Sequence, residues 1–230
     1  MLTPYTDKPS FKFNISHRQD GTMQFVGGEE ALNNRRKYLS KMGIKESQVV
    51  AGKLVGGNNI ITVGEGDGGK AIEATDGLIT TTPGIYLSIT VADCIPVIIY
   101  QEGSVLALLH VGRQGLACGI IPKAIQQLEN MGFAAPTLHS YLGPHICPKD
   151  YNIPPDVAAQ FVTYPTALSN IVDKSYLDIS EVAKIQLTSV GVVATNIVVD
   201  ETCTFESEDF FSARRDKSTP TQAMMVLASL

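Results

Sequence analysis

Residues 91–115 read VADCIPVIIYQEGSVLALLHVGRQG, and their reading decides the fold. Two apolar, β-branched runs, residues 95–100 and 105–109, flank a polar link of Gln101, Glu102, Gly103 and Ser104, which is the pattern of a β-hairpin. The first run is almost wholly apolar and predicts a central strand buried on both faces. Cys94 stands just before the first run and His110 closes the second. A hairpin sets those two positions side by side. A thiol beside an imidazole serves either as a nucleophile with its base or as two ligands of a soft metal ion. In the metal-free case, backbone N–H groups of the 112–115 turn are candidate donors to an oxyanion.

Outward from the hairpin, the chain alternates strand and helix patterns without strict βαβ order. Residues 11–17, 23–26, 49–63 (interrupted by Gly52, Gly56 and Gly57), 75–80, 85–92, 137–142, 196–200 and 223–227 read as strands. Residues 29–42 carry Leu32, Leu39 and Met42 at helical spacing and stop at Gly43. A helix is expected from the Gly112 turn to about Met131, on a face of Ile120, Ile121, Ala124, Leu128 and Met131. Residues 155–164 predict a short helix with proline in its first turn. Asp178 and Glu181 form a capping-box pattern that opens a helix ending near Gly191. About nine strands and four helices in this order predict one α/β domain over residues 1–230, a mixed-sheet α+β or α/β sandwich rather than a doubly wound parallel sheet. The loop GEGDGGK at residues 64–70 lacks the spacing and the strand-to-helix context of a phosphate cradle and reads as a turn.

Composition narrows the class. The chain has 230 residues, is 44% hydrophobic and carries a net charge of −5, which gives a core that needs no disulfide staple and no electrostatic footprint for nucleic acid. No apolar run approaches the ~20 residues of a membrane span. Residues 1–13 lack the layout of a signal peptide. The four cysteines, Cys94, Cys118, Cys147 and Cys203, include no C-x-x-C pair and are expected to be reduced thiols in a cytoplasmic protein.

Several motifs together carry a resemblance. ADCIPV around Cys94, LLHVGRQGL around His110, GPHI at residues 143–146, TDGLIT at residues 75–80, NRRKYL at residues 34–39, and the stretch from Cys203 through FFSARRD to Asp216 resemble the multicopper polyphenol oxidase, or laccase-domain, family of the YfiH type. The resemblance spans nearly the whole chain in order. It implies a single-domain fold related to cysteine-hydrolase toxins of the CNF type. It also implies a cytoplasmic enzyme acting on purine nucleosides, by phosphorolysis with phosphate or by deamination of adenosine. The laccase label itself finds no physical support, since a multicopper oxidase needs many more histidines than the four present.

The resemblance further implies zinc, or copper, on a His–Cys–His set. Cys94 and His110 match two of the ligands. Gly56 stands where the first histidine belongs, and it has no donor atom, so the ion is expected only if another ligand joins. His145 is the candidate, with Cys147 a second donor from the same loop. The tryptophan and arginine that follow the second histidine in the family are replaced here by Arg113 and Gln114. Arg18 matches a family arginine and is expected in the catalytic set with Cys94 and His110. Asp76, Arg113, Arg214 and Arg215 are expected to bind substrate, the arginines because a planar guanidinium fork suits phosphate or ribose. A salt bridge of Arg215 to Asp216 or Asp209 is an equal alternative for the end motif. Asp76 and Asp93 are expected to cap turns or to orient His110, Asp93 as the carboxylate behind a ligating imidazole. His17 and His139 read as structural or exposed. Three readings remain open: a metal-dependent nucleoside phosphorylase or deaminase, a nucleoside- or partner-binding protein without turnover, and a metal-free hydrolase using Cys94 and His110.

Overall fold

A computed structural model describes residues 12–25, 28–171 and 173–230. In chain order the elements are β1 (Lys12–Ile15), α1 (Gly28–Lys41), β2 (Val49–Gly52), β3 (Ile60–Thr62), β4 (Ala71–Ile72), β5 (Gly77–Thr80), β6 (Tyr86–Val91), β7 (Ile95–Gln101), β8 (Val105–Val111), α2 (Arg113–Ala117), α3 (Ile120–Asn130), β9 (His139–Leu142), β10 (Asn152–Ile153), α4 (Pro155–Ala158), β11 (Leu168–Ile171), β12 (Lys174–Leu177), α5 (Ile179–Ser189), β13 (Ile197–Val199), α6 (Ala213–Asp216) and β14 (Met224–Ser229). They form an α/β sandwich of two mixed sheets, ordered β1-β14-β6-β2-β4 and β13-β9-β7-β8-β5-β3, with a small third sheet β10-β12-β11.

The hairpin is the centre of the larger sheet. β7 and β8 pair antiparallel with Ile95 opposite Val111 and Pro96 opposite His110. Strand alternation then sorts the side chains. Ile95, Val97 and Ile99 with Val105, Ala107, Leu109 and Val111 face a core shared with Ile121, Ala124 and Leu128 of α3 and Val182 and Leu187 of α5. Ile98, Leu106 and Leu108 face the opposite way, into the layer between the sheets, against Leu87, Ile89, Met224 and Val226. His110 shares parity with Leu106 and Leu108, so it projects at the end of that inter-sheet layer, where the sandwich opens. Beyond the smaller sheet, Tyr38 and Leu39 of α1 pack on Met225 and Leu227.

Four expectations change. Residues 23–25 form no strand, although Met23 N donates to the Ala223 carbonyl at 2.9 Å; residue 26 lies outside the described residues, as do residues 1–11. The helix after His110 breaks into α2 and α3, because Gly119 takes φ +71° and Pro122 has no N–H to continue the ladder. The helix at residues 155–164 shortens to α4 followed by a 3-10 turn, Ala159–Phe161. The hairpin of β11 and β12 was not expected, since its short polar strands carry no apolar stripe; β12 is anchored by the buried Leu177. Among the described residues no helix is long and apolar enough to cross a membrane.

The cysteines also depart from expectation. Cys94 and Cys118 are free, but Cys147 and Cys203 are joined as a disulfide. The parallel pairing of β9 with β13 continues past both strands through a bridge between His145 and Cys203, and this carries the two chain segments together.

Candidate functional site

Cys94 and His110 meet as the hairpin requires. Their meeting point is Gly112: a Cβ there would lie 2.7 Å from Cys94 Sγ and 3.8 Å from His110 Cε1. Glycine at this position is what lets the thiol and the imidazole close on each other. Just before the thiol, Asp93 adopts φ +80°, a left-handed conformation that its environment fixes. Its carboxylate accepts the Thr204 hydroxyl at 2.8 Å, the Ser212 hydroxyl at 3.0 Å and the Arg214 amide at 2.7 Å. Asp93 therefore ties the segment from Thr204 to Arg214 to the thiol strand. It does not stand behind His110.

That place belongs to Asp76, which is fully buried. Its carboxylate lies 3.6 Å from His110 Nδ1, the distance of an ion pair rather than a hydrogen bond. The same carboxylate accepts the amides of Val55 at 3.1 Å, Gly56 at 2.7 Å and Gly57 at 2.8 Å, so three successive N–H groups cradle it. Burial alone would raise its pKa, but His110 and the Gly57 and Gly56 amides outweigh burial and hold it below the usual carboxylate range. His110 moves the other way. Burial opposes its charge, yet Cys94 and Asp76 together push it up to about 10.

A cavity of about 760 Å³ opens beside His110, lined among others by Lys53, Val55, Gly56, Thr90 and Ala92. Near the thiol stands Tyr151, which sequence reasoning missed because a lone aromatic after a loop gives no signal. Burial and then the nearby Cys94 raise the Tyr151 hydroxyl, while Arg113 and Arg214 pull it down, so all four groups share one neighbourhood. The Arg214 guanidinium lies 4.9 Å from the Tyr151 ring centroid and donates to the Asn152 carbonyl at 2.8 Å.

The remaining candidates are held elsewhere. Arg215 donates to the carbonyls of Thr204, Phe205, Ser207 and Phe210 and to Asp216, so it clamps its own loop and has no fork left for substrate. Arg18, expected in the catalytic set, pairs with Asp216 at 2.5 Å and lies over the Phe211 ring. His145 does not join Cys94 and His110. Its neighbour Ile146 turns into the core and donates its amide to the Asp93 carbonyl, while the His145 ring turns to the opposite side. There its Nδ1 pairs with the Gly143 carbonyl at 2.8 Å, in a pocket shared with Cys147 and Cys203. Burial, more than that carbonyl can offset, lowers its pKa. His17 packs against Phe210 and His139 stacks on Tyr100, both structural as expected.

The zinc or copper set that the resemblance implies is therefore incomplete. Cys94 and His110 supply two donors, and a structural or catalytic zinc takes at least three from protein. Gly56 has φ +75°, and the space a side chain would enter there already holds Gln114 Oε1, 3.0 Å from an added Cβ. Among the described residues, one group of three or more metal-ligating side chains has its donor atoms within 4.8 Å of one another, and it contains neither Cys94 nor a histidine.

Comparison with known proteins agrees with the motif reading. A family model described as multi-copper polyphenol oxidoreductase laccase matches residues 12–229. The chain is 31% identical over 225 residues to a purine nucleoside phosphorylase of Corynebacterium glutamicum, covering 96% of this chain and 89% of the relative. It is 30% identical over 189 residues to a purine nucleoside phosphorylase of Streptomyces coelicolor, covering 81% and 77%. The crystal structure of YlmD from Geobacillus stearothermophilus superposes with a TM-score of 0.89 at 25% identity, over 96% of this chain and 92% of that one. YfiH from Bacillus licheniformis gives the same TM-score at 24% identity, over 97% of both chains, which speaks for the fold alone.

Proposed function

The chain belongs to the multi-copper polyphenol oxidoreductase laccase family, and from that premise we propose that it binds a purine nucleoside and inorganic phosphate at the end of the sandwich occupied by Cys94 and His110 and splits the nucleoside by phosphorolysis. The observation that carries this reading is the convergence of Cys94 Sγ and His110 on Gly112, at the rim of a cavity of about 760 Å³. A volume of that order suits a nucleoside with its phosphate. In phosphorolysis a phosphate oxygen attacks ribose C1′ as the bond from C1′ to the purine nitrogen breaks. The purine leaves with the bonding electrons and takes up a proton, and the products are the free base and ribose 1-phosphate.

Each site residue has a part in this reading. His110, whose pKa Cys94 and Asp76 raise, offers positive charge to the phosphate anion at the cavity. Arg113 and Arg214 offer further positive charge on the Tyr151 side of the thiol. Cys94 sits against His110 at the Gly112 turn, and Asp76 positions His110. Deamination is the weaker alternative. It needs an activated water, and the two donors that remain do not build the ion site that would supply one.

The test is release of free base from adenosine, inosine and guanosine, followed by chromatography with and without phosphate. Phosphate-dependent release that disappears in Cys94→Ser and His110→Ala supports phosphorolysis. Absence of both release and nucleoside binding overturns it. A second reading, nucleoside binding without turnover, is favoured by one observation, the left-handed Gly56 with Gln114 in the space of the missing ligand. It predicts calorimetric nucleoside binding with no base released under any phosphate concentration.

A further inference from the structure

Two short segments of this chain repeat one pattern. Residues 147–150 read CPKD and residues 203–206 read CTFE, each a cysteine followed three positions later by a carboxylate. Neither is a C-x-x-C motif, yet each presents a thiol and a carboxylate from one tight turn. In the first, Pro148–Asp150 is a 3-10 turn and Asp150 N bonds the Cys147 carbonyl at 3.1 Å. In the second, Ser207 N bonds the Cys203 carbonyl at 3.0 Å. The bridge between His145 and Cys203 sets the two turns against each other. The donor atoms of Cys147, Asp150, Cys203 and Glu206 all lie within 4.8 Å of one another.

We propose that the reduced form of this tetrad, Cys147 and Cys203 with Asp150 and Glu206, is a binding site for one thiophilic divalent cation of the zinc type, separate from the site at Cys94 and His110. Two turns that each contribute a pair of ligands bring together four donors, two soft sulfurs and two carboxylate oxygens, the number a tetrahedral cation takes. The spacing is already close to coordination. Cys147 Sγ stands 2.9 Å from Asp150 Oδ2, and Cys203 Sγ stands 3.8 Å from the same oxygen.

Charge supports the assignment. With both thiols ionised, the tetrad holds four negative charges, and Lys149 pairs to Glu206 at 2.6 Å. A dication relieves that repulsion and displaces the thiol protons on binding.

The disulfide is the closed state of the same site. Two electrons and two protons from an external thiol pair open it: the sulfur–sulfur bond of Cys147 and Cys203 breaks, two thiols form, and the reductant is left as its own disulfide. Oxidation removes both sulfur ligands at once, so metal occupancy follows the redox state of the pair.

The test is competition for zinc with a chromophoric chelator, on the full chain carrying Cys94→Ser so that the other free thiol near a histidine does not contribute. After phosphine reduction we expect one zinc per chain. The disulfide form is expected to bind none. Glu206→Gln and Asp150→Asn keep both thiols and are expected to weaken zinc by tenfold or more, a drop typical of losing one ligand or its orienting partner. Circular dichroism verifies that each variant is folded. The proposal is overturned if the reduced protein takes up no zinc at micromolar metal, or if uptake is equal in the disulfide form and in both carboxylate variants.

Discussion

Asp76 holds His110 at two points. Its backbone carbonyl accepts the His110 amide at 2.8 Å, and its carboxylate stands 3.6 Å from the same residue's Nδ1. Because that carboxylate also anchors the amides of Val55, Gly56 and Gly57, one buried residue fixes both the imidazole and the loop facing it.

Asp76→Asn separates these tasks. The amide has one acceptor oxygen, so its NH2 must point at an N–H donor on one side and leave a buried group unsatisfied, at a cost of about 1–3 kcal/mol. The urea midpoint is expected to fall accordingly. The imidazole also loses a charged partner, and the pKa of His110, followed by NMR, is expected to drop. An unchanged titration of His110 in a folded variant would contradict the ion pair.

Gly112→Ala tests the meeting of thiol and imidazole. The new Cβ, 2.7 Å from Cys94 Sγ, forces the thiol aside. Overpacking of this kind costs about 1–3 kcal/mol. The rate of Cys94 modification by a disulfide reagent is expected to change while the fold persists, and any base release is expected to fall by at least about tenfold. Native rates of both would mean that the thiol and imidazole do not act together.

Gly56→His examines the missing ligand. Gln114 is exposed and can swing aside, so the larger obstacle is the backbone at φ +75°, which costs a non-glycine residue about 1–2 kcal/mol. The variant is expected to be less stable by that amount. Adding Gln114→Ala clears the space, and zinc retention at Cys94 and His110 is expected to be stronger in the double variant than the two single variants predict additively. Purely additive retention, measured by elemental analysis, would show that position 56 does not face the pair.

The sequence made the hairpin legible because strand periodicity and a polar link are local signals, and the hairpin in turn set Cys94 beside His110. It also marked Asp76 and Cys94 through the motifs around them. It misplaced His145, since a Gly-Pro-His loop says nothing about which side of the chain the ring takes; that side is fixed by Ile146 turning into the core. It left Arg215 open between phosphate and a salt bridge, and four loop carbonyls, distant from one another in any motif, decide for structure. The thiol and carboxylate tetrad went unseen because its halves lie 56 residues apart and meet only through a bridge beyond the ends of β9 and β13.

The arginines near the C-terminus make a further prediction at acid pH. Burial would raise the Asp216 carboxyl, but Arg215, Arg18 and the Ser212 amide outweigh it and lower the pKa from 3.8 to about 2. A carboxyl depressed in the folded state contributes stability that is fully present above its unfolded pKa and is lost as pH falls through the folded value. The window is thus from about pH 4 down to about pH 2. A shift of this size corresponds to about 2 kcal/mol, reduced to about 1 kcal/mol because the Arg18 side chain is 38% exposed and screened by solvent. Asp216→Asn is expected to be less stable than the parent chain by that amount near neutral pH, with the gap closing as the pH approaches about 2. Urea denaturation of both proteins across that range measures it. A gap that stays constant with pH would mean that Asp216 contributes by hydrogen bonding to the Ser212 amide at 3.0 Å rather than by its charge.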